Sequence, residues 1–322
     1  MSRSARRFLC ALLLAFAANA ACAQPWPAKP IRVIVPFPAG GIADVYARLV
    51  GARWAEAWGQ PVVIENRAGA GGNIGAEVVA KSAPDGYVLV VGSIATHAVS
   101  VSLYPNLPYD PLRDFAPVAL LLDAEGLLAV HPSVGARNVP ELIALARAKP
   151  GSLTYASAGA GSASHLAGAL LKSMAGIDWV HVPYKGNVPA ISDLLAGQTS
   201  LIFATMPTVL PHTKSGRLRA LATTGSARTP ATPELPTVAE TIPGFVVNNW
   251  VGFFAPAGTS PDIVSRLNAE TAKFMQTKDI EARLVNEGAS FRPMTPEQFG
   301  SFVKAEIAKW APVVKASGAK AD

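Results

Sequence analysis

Cysteine is nearly missing from this sequence. The two that occur, Cys10 and Cys22, both fall within the first 23 residues, so neither a disulfide scaffold nor a multi-cysteine zinc or iron–sulfur site can be built. Charge is scarce as well. Asp, Glu, Lys and Arg make up 16% of the chain, against a usual share of about one quarter, and no Lys/Arg cluster is dense enough to track a phosphate backbone. No apolar run reaches the ~20 residues a membrane-spanning helix needs. Several catalytic signatures are also lacking. There is no Walker A loop, the third glycine of a dinucleotide fingerprint starting at Gly69 falls on Ile74, and Gly159-Ala160-Gly161-Ser162-Ala163 does not fit Gly-x-Ser-x-Gly. The five histidines show no zincin spacing. Serine, histidine and aspartate are present, but availability is not a triad.

Apolar mass is abundant. Half of the residues are hydrophobic, including six Trp, six Tyr and twelve Phe, which excludes intrinsic disorder. The 27 glycines follow no three-residue period, which excludes a collagen helix. A chain of 322 residues at roughly 150 per domain suggests two structural units. Arg3, Arg6 and Arg7, the short apolar run Phe8–Ala18 and the small-x-small sequence Ala21-Cys22-Ala23 read as a secretory leader, residues 1–23, cleaved before Gln24. Cleavage removes both cysteines, which suits an oxidising compartment, and half of the formal net charge of +6. A rival reading lipidates Cys22, although Asn19 stands where lipoprotein leaders usually carry Leu.

Short, continuous apolar runs predict strands at Ile31–Val35, Val62–Glu65, Tyr87–Val91, Val118–Leu122, Leu127–Val130, Leu153–Ala156, Val180–Val182, Leu201–Ala204, Leu218–Ala222 and Val246–Phe254. Helical patterns lie between many of them. One runs over Ile42–Trp58 and stops at Gly59, and another over Pro140–Lys149. A third starts at Ser260-Pro261-Asp262. A fourth follows the capping box Thr295-Pro296-Glu297-Gln298 and sets Phe299, Phe302, Val303, Ile307 and Trp310 along one face. Strand–helix alternation predicts an α/β fold with mainly parallel sheets flanked by helices. A weak echo between Leu127–Glu141 and Gly252–Asp262, each a strand, a proline stop and a proline–acid helix start, reads as two crossings between two lobes. The lobes are expected at residues 24–123 plus 249–322, and at 124–248.

Ligands of open α/β sheets bind beyond the carboxyl ends of strands. Pro36-Phe37-Pro38-Ala39-Gly40-Gly41-Ile42-Ala43-Asp44 follows the first strand and opens a long helix. Bare amides and the helix dipole there attract an anion, so Phe37, Ala39, Gly40 and Gly41 are candidate ligand contacts. Asp44 either caps those amides or meets a polar ligand group. Tyr155 to His165 repeats the arrangement, with Ser157, Gly161, Ser162 and His165 as candidates; His165 can equally be a packed helix residue. Ser93 and Thr96, closing the third strand, and Thr205, closing a later one, complete the set. No metal site or cofactor is expected.

The motifs Pro36-Phe37-Pro38-Ala39-Gly40-Gly41 with Asp44 and Arg48, Glu65-Asn66-Arg67 with Gly69-Ala70-Gly71-Gly72, Pro84-Asp85-Gly86-Tyr87, His165-Leu166-Ala167-Gly168 and Val182-Pro183-Tyr184-Lys185-Gly186 occur in order. They resemble the Bug-type solute receptors of tripartite tricarboxylate transporters, over a similarity that runs from about Gln24 to the end. The resemblance implies a periplasmic two-lobed binding-protein clamshell of type II-like form. It would close on a small organic carboxylate, largely through backbone amides and waters, deliver it to membrane permease subunits, and catalyse nothing. A monomer with no nucleic-acid partner is expected. Two positions depart from the pattern: Ile42 replaces the usual small or hydroxyl residue, and Phe203 is followed by Ala204 and Thr205 rather than Asp and a small polar residue. Losing that carboxylate argues against an ammonium-bearing ligand and for a carboxylate with an apolar body, rather than aspartate, glutamate or citrate. A periplasmic carboxylate sensor presenting the same clamshell to a signalling receptor, or a periplasmic enzyme, are the alternatives.

Overall fold

The computed structural model describes residues 26–317 and 319; the leader and Cys22 lie outside them. Strand β1 (Ile31–Val35) feeds α1 (Ile42–Trp58), β2 (Val62–Asn66) leads to α2 (Asn73–Ala80), and β3 (Val88–Ser93) leads to a single π turn (Ala95–Val99) and the short α3 (Ser100–Leu103). Then come the long β4 (Phe115–Val130), α4 (Val139–Ala148), β5 (Thr154–Ser157), α5 (Ala163–Ala175), β6 (Val180–Pro183), α6 (Asn187–Leu195), β7 (Leu201–Thr205), α7 (Met206–Lys214) and β8 (Arg219–Thr223). The chain returns through β9 (Asn248–Pro256) to α8 (Pro261–Met275), α9 (Lys278–Asn286), the two-residue β10 (Ala289–Ser290) and α10 (Pro296–Ser317).

The strands follow the order β2-β1-β3-β9-β4-β7-β5-β6, with β8 and β10 also on β4. Two parallel trios result, β2-β1-β3 and β6-β5-β7, and antiparallel strands join them. This is the two-lobed α/β architecture. The stretch read as two strands, 118–122 and 127–130, is one. Through Glu125 it pairs with β9, and from Gly126 onward with β7. Asp123 to Gly126 interrupts the apolar run because the strand changes partners there, not conformation.

The helix and strand patterns have direct physical causes. Buried Ala43, Tyr46, Ala47, Val50 and Trp54 of α1 recur at three- and four-residue spacing, the period of a helix with one face on a core. Gly59 ends it in the left-handed conformation (φ +65°), its N–H bonding back to Ala55. Trp54 stacks on Trp58 and meets Phe253 at 4.6 Å. Thr295 and Gln298 form the reciprocal cap that opens α10, at 2.9 and 3.2 Å. That helix buries Phe299 and Trp310 and packs against α5 as well as β4, so the C-terminal segment touches both lobes. Trp250 and Trp310 each donate an indole N–H to Glu306 Oε2 at 3.0 Å, which satisfies a carboxylate that burial would otherwise penalise.

Candidate functional site

The carboxyl ends of β1, β3, β5, β6 and β7 converge on one cleft between the lobes, with a cavity volume of about 80 Å³. Phe37, Pro38, Gly41, Ile42 and Ser93 line one side. Ser162, Ala163, Ser164, Gly186, Asn187, Val188, Phe203, Ala204 and Thr205 line the other. Gly126, Thr224, Val247, Asn249 and Val251 close the back. The helices α1, α5 and α6 each present a start to it, at Ile42, Ala163 and Asn187. Unpaired backbone N–H groups and the positive end of the dipole lie at such starts.

On the first side, Asp44 organises the loop. Its Oδ2 accepts from the Gly40 N–H at 3.0 Å, and its Oδ1 from Asn66 Nδ2 at 2.9 Å and Arg48 Nη2 at 2.9 Å. Asn66 also donates to the Phe37 carbonyl at 3.0 Å. Burial pushes the Asp44 carboxyl up, but the bonds from Arg48, Gly40 and Asn66 together hold it below its ordinary value. Asp44 is therefore a brace under the loop and does not line the cleft. Ala39 and Gly40 lie on its exposed shoulder, and Gly40 takes the left-handed φ of +83° that the turn requires. Thr96 stands behind Ser93. Its hydroxyl accepts from the Ser93 N–H at 3.0 Å and pairs with His97 Nδ1 at 2.9 Å. His97 is fully buried on Phe254, and burial pushes its pKa down to about 3, so the ring is neutral.

The opposite loop is braced without charge. Ser162 Oγ accepts from His165 N at 3.3 Å and donates to the Gly159 carbonyl at 2.6 Å, and Ser164 Oγ accepts from Ala158 N at 2.8 Å. Gly161 N donates to His165 Nδ1 at 2.9 Å, and Gly159 N to Ser157 Oγ at 3.1 Å. Ser157 Oγ meets His181 Nε2 at 2.6 Å, and the rings of His165 and His181 stack at 4.0 Å and 3°. Burial, with a contribution from His165, pushes the His181 pKa down to about 3. Of the expected residues, Phe37, Gly41, Ser93, Ser162 and Thr205 thus come together at the cleft. Ala39, Gly40, Asp44, Thr96, Ser157, Gly161 and His165 lie beside or behind it as supports.

The α6 start and the back wall carried no assigned role in the sequence. A strand followed by Gly186 is the signal that would have found the former. The two sides touch: a Cβ at Gly186 would stand 2.8 Å from Pro38 Cδ at the cleft, and one at buried Gly161 would run into Leu103 Cδ2. At the back, Thr224 stitches the two crossings. Its N–H donates to the Gly126 carbonyl at 2.9 Å, and its hydroxyl accepts from Gly126 N at 2.8 Å and donates to the Val247 carbonyl. No ionisable side chain stands among the described residues that line the cleft. No group of three or more His, Cys, Asp or Glu able to hold a metal occurs among the described residues.

The model of the tripartite tricarboxylate transporter family receptor matches residues 46–319. The chain belongs to this receptor family. It is 41% identical to the protein BugT of Bordetella pertussis over 97% of this chain and 98% of that one. It is 38% identical to the UPF0065 protein of the tcbD–tcbE intergenic region of Pseudomonas sp. strain P51, over 96% and 93%. Among solved structures, Rpa4515 of R. palustris with adipate superimposes with a TM-score of 0.89 at 38% identity, covering 92% of this chain and 99% of that one. MatC of Rhodopseudomonas palustris with bound malate gives 0.85 at 37% identity, over 90% and 100%. The protein is accordingly a solute-binding receptor rather than an enzyme. Among the described residues no helix is long and apolar enough to cross a membrane.

Proposed function

We propose that this receptor captures a small organic carboxylate in the cleft, in the periplasm, and hands it to the membrane permease subunits of a tripartite transporter. The observation that carries the reading is the convergence of three helix starts and buried Ser93 on one cleft without ionisable side chains. Such a wall receives an anion through amides and hydroxyls. The adipate and malate held by the two relatives support the same chemistry. The lobes are residues 24–123 plus 249–322, and 124–248, and they hinge where β4 changes partners and where Thr224 ties Gly126 to Val247. The leader, residues 1–23, directs export, and the receptor works as a monomer.

A thermal-shift panel of organic acids tests this. A ligand at a hundred times its dissociation constant stabilises the folded state by ~2.7 kcal/mol, which shifts the melt by several degrees. Acids that leave the melt unmoved throughout, while the protein is folded, would remove the carboxylate reading.

A further inference from the structure

A second concavity adjoins the cleft, and Ile42 and Val188 line both. Its volume is about 430 Å³, against about 80 Å³ for the cleft. The loop after β1, α1 and the end of α9 form one bank. Helices α6 and α7, with Arg217 just beyond, form the other. Val188, Ser192 and Arg217 on its rim are exposed, so this is an open groove that a chain segment can enter from solvent. Val45, Ile191, Leu195 and Pro207 add to its apolar lining.

The two banks differ in charge. On the first, Glu287 accepts from the Tyr46 hydroxyl at 2.7 Å and from Arg283 Nε at 2.8 Å, so acid and base cancel. On the second, Arg217 enters no ion pair among the described residues, and its Nη2 lies 2.6 Å from His212 Nδ1. A guanidinium only donates, so His212 Nδ1 is the acceptor and the ring carries its proton on Nε2. Burial and the Arg217 charge hold the His212 pKa below its ordinary value, which keeps the ring neutral at pH 7. This bank therefore offers the remaining guanidinium N–H groups, an imidazole N–H and one positive charge, and no carboxylate of the described residues answers them.

Resting on the transport reading, we propose that the groove receives a loop of a permease subunit. An aspartate or glutamate of that loop pairs with Arg217 and His212, and an adjoining apolar residue covers Val45, Ile191 and Leu195. A carboxylate there meets charge-assisted donors, and opposite sign steers and orients the partner. Gly40, Tyr46 and Arg283 belong to one lobe and Ile191, His212 and Arg217 to the other. Both banks face each other only when the lobes are shut, so docking reads the loaded receptor.

Uptake by the native host tests this, with the receptor gene deleted and supplied again from a plasmid. The probe is the radiolabelled acid, among succinate, malate, glutarate, adipate and citrate, that calorimetry shows to bind the purified receptor tightest. Arg217→Glu is expected to bind that acid as the parent protein does, and to lower uptake by about tenfold or more. Arg217→Lys keeps the charge and should keep most of the uptake. Arg137→Glu, at an exposed arginine away from the groove, should keep all of it. Parental uptake by Arg217→Glu overturns the docking and leaves the receptor reading intact. So does a weaker second binding event in the titration that Arg217→Glu abolishes, because the groove then holds a solute. Loss of acid affinity in Arg217→Glu overturns it too, by placing the residue in the ligand site. Uptake that survives deletion of the gene, or binding of none of these acids, overturns the transport reading itself.

Discussion

The loops after β1 and β5 face each other across the cleft and hold their amides by opposite means. The first rests on one buried carboxylate, Asp44, tied to an arginine, an amide and a backbone N–H. The second rests on neutral groups: Ser157, Ser162 and Ser164, with the stacked pair His165 and His181. The task is the same, to fix donors in place before a ligand arrives, so that little ordering cost remains on binding. The ionic brace is strong at neutral pH but stands behind the wall. The neutral brace keeps negative charge away from the ligand, at the cost of a partly buried imidazole, His181, that resists protonation.

The largest effect should come from the cleft face of the first loop. Gly41 has an ordinary extended backbone (φ −76°), and a Cβ there would meet only the Pro38 carbonyl at 3.7 Å. Gly41→Val should therefore fold normally and lose at least a hundredfold in ligand affinity, because the side chain fills the ligand's space. Calorimetry on the folded variant reads this, and unchanged affinity would remove the loop from the site.

Next comes the brace itself. Asp44→Ala leaves the Gly40 N–H and one of the two Asn66 amide hydrogens without an acceptor and should cost about 2–3 kcal/mol. His165→Phe keeps a ring for the stack but removes the acceptor of Gly161 N, and should cost about 1–2 kcal/mol. Chemical denaturation measures both, and equal costs would erase the distinction between the ionic and neutral braces.

Acid separates the braces further. The His181 pKa is depressed to about 3, so below about pH 6.5 the unfolded chain gains a proton that the folded state refuses. Stability is full above pH 6.5 and drains as pH falls toward 3. Asp44, also depressed, contributes fully above its unfolded value of about 4 and loses its contribution only below that. Between pH 7 and 5 the neutral brace should weaken while the ionic one holds. His181→Phe should flatten the stability profile over that interval by about 1–2 kcal/mol. A profile as steep as that of the parent protein would contradict this assignment.

The smallest effect has the opposite sign. Glu125, at the crossing, is pushed up to about 7 by burial and by Asp123. The folded state therefore keeps a proton that the unfolded chain releases above about pH 4.5, so stability falls as pH rises from there through 7. Glu125→Gln should gain about 1 kcal/mol at pH 8, and nothing at pH 4. Equal gains at both values would show that the carboxyl is not the titrating group.

The strand ends and the two helix starts after β1 and β5 were legible in the sequence because each is a local signal, an apolar run followed by small residues and then a helix period. The supports were not. His181 lies on β6, sixteen residues beyond His165, and nothing local to either residue announces that their rings will stack. Asp44 was readable as a cap or as a ligand group, and only the positions of Asn66 and Arg48 decide for the brace. The continuity of β4 through Asp123–Gly126 was hidden because polar residues in an apolar run look like an end, whereas here they mark a change of sheet. Contacts across the cleft such as Gly186 against Pro38 join segments far apart in the chain, which no local pattern encodes.

Closure is the central claim. Small-angle scattering on the receptor, first stripped of ligand and then saturated with a carboxylate whose binding calorimetry has established, tests it most directly. The account predicts a smaller radius of gyration with ligand, as Pro38 meets Gly186 across the mouth and the hinge at Gly126 and Val247 bends. An identical radius with binding confirmed would contradict it.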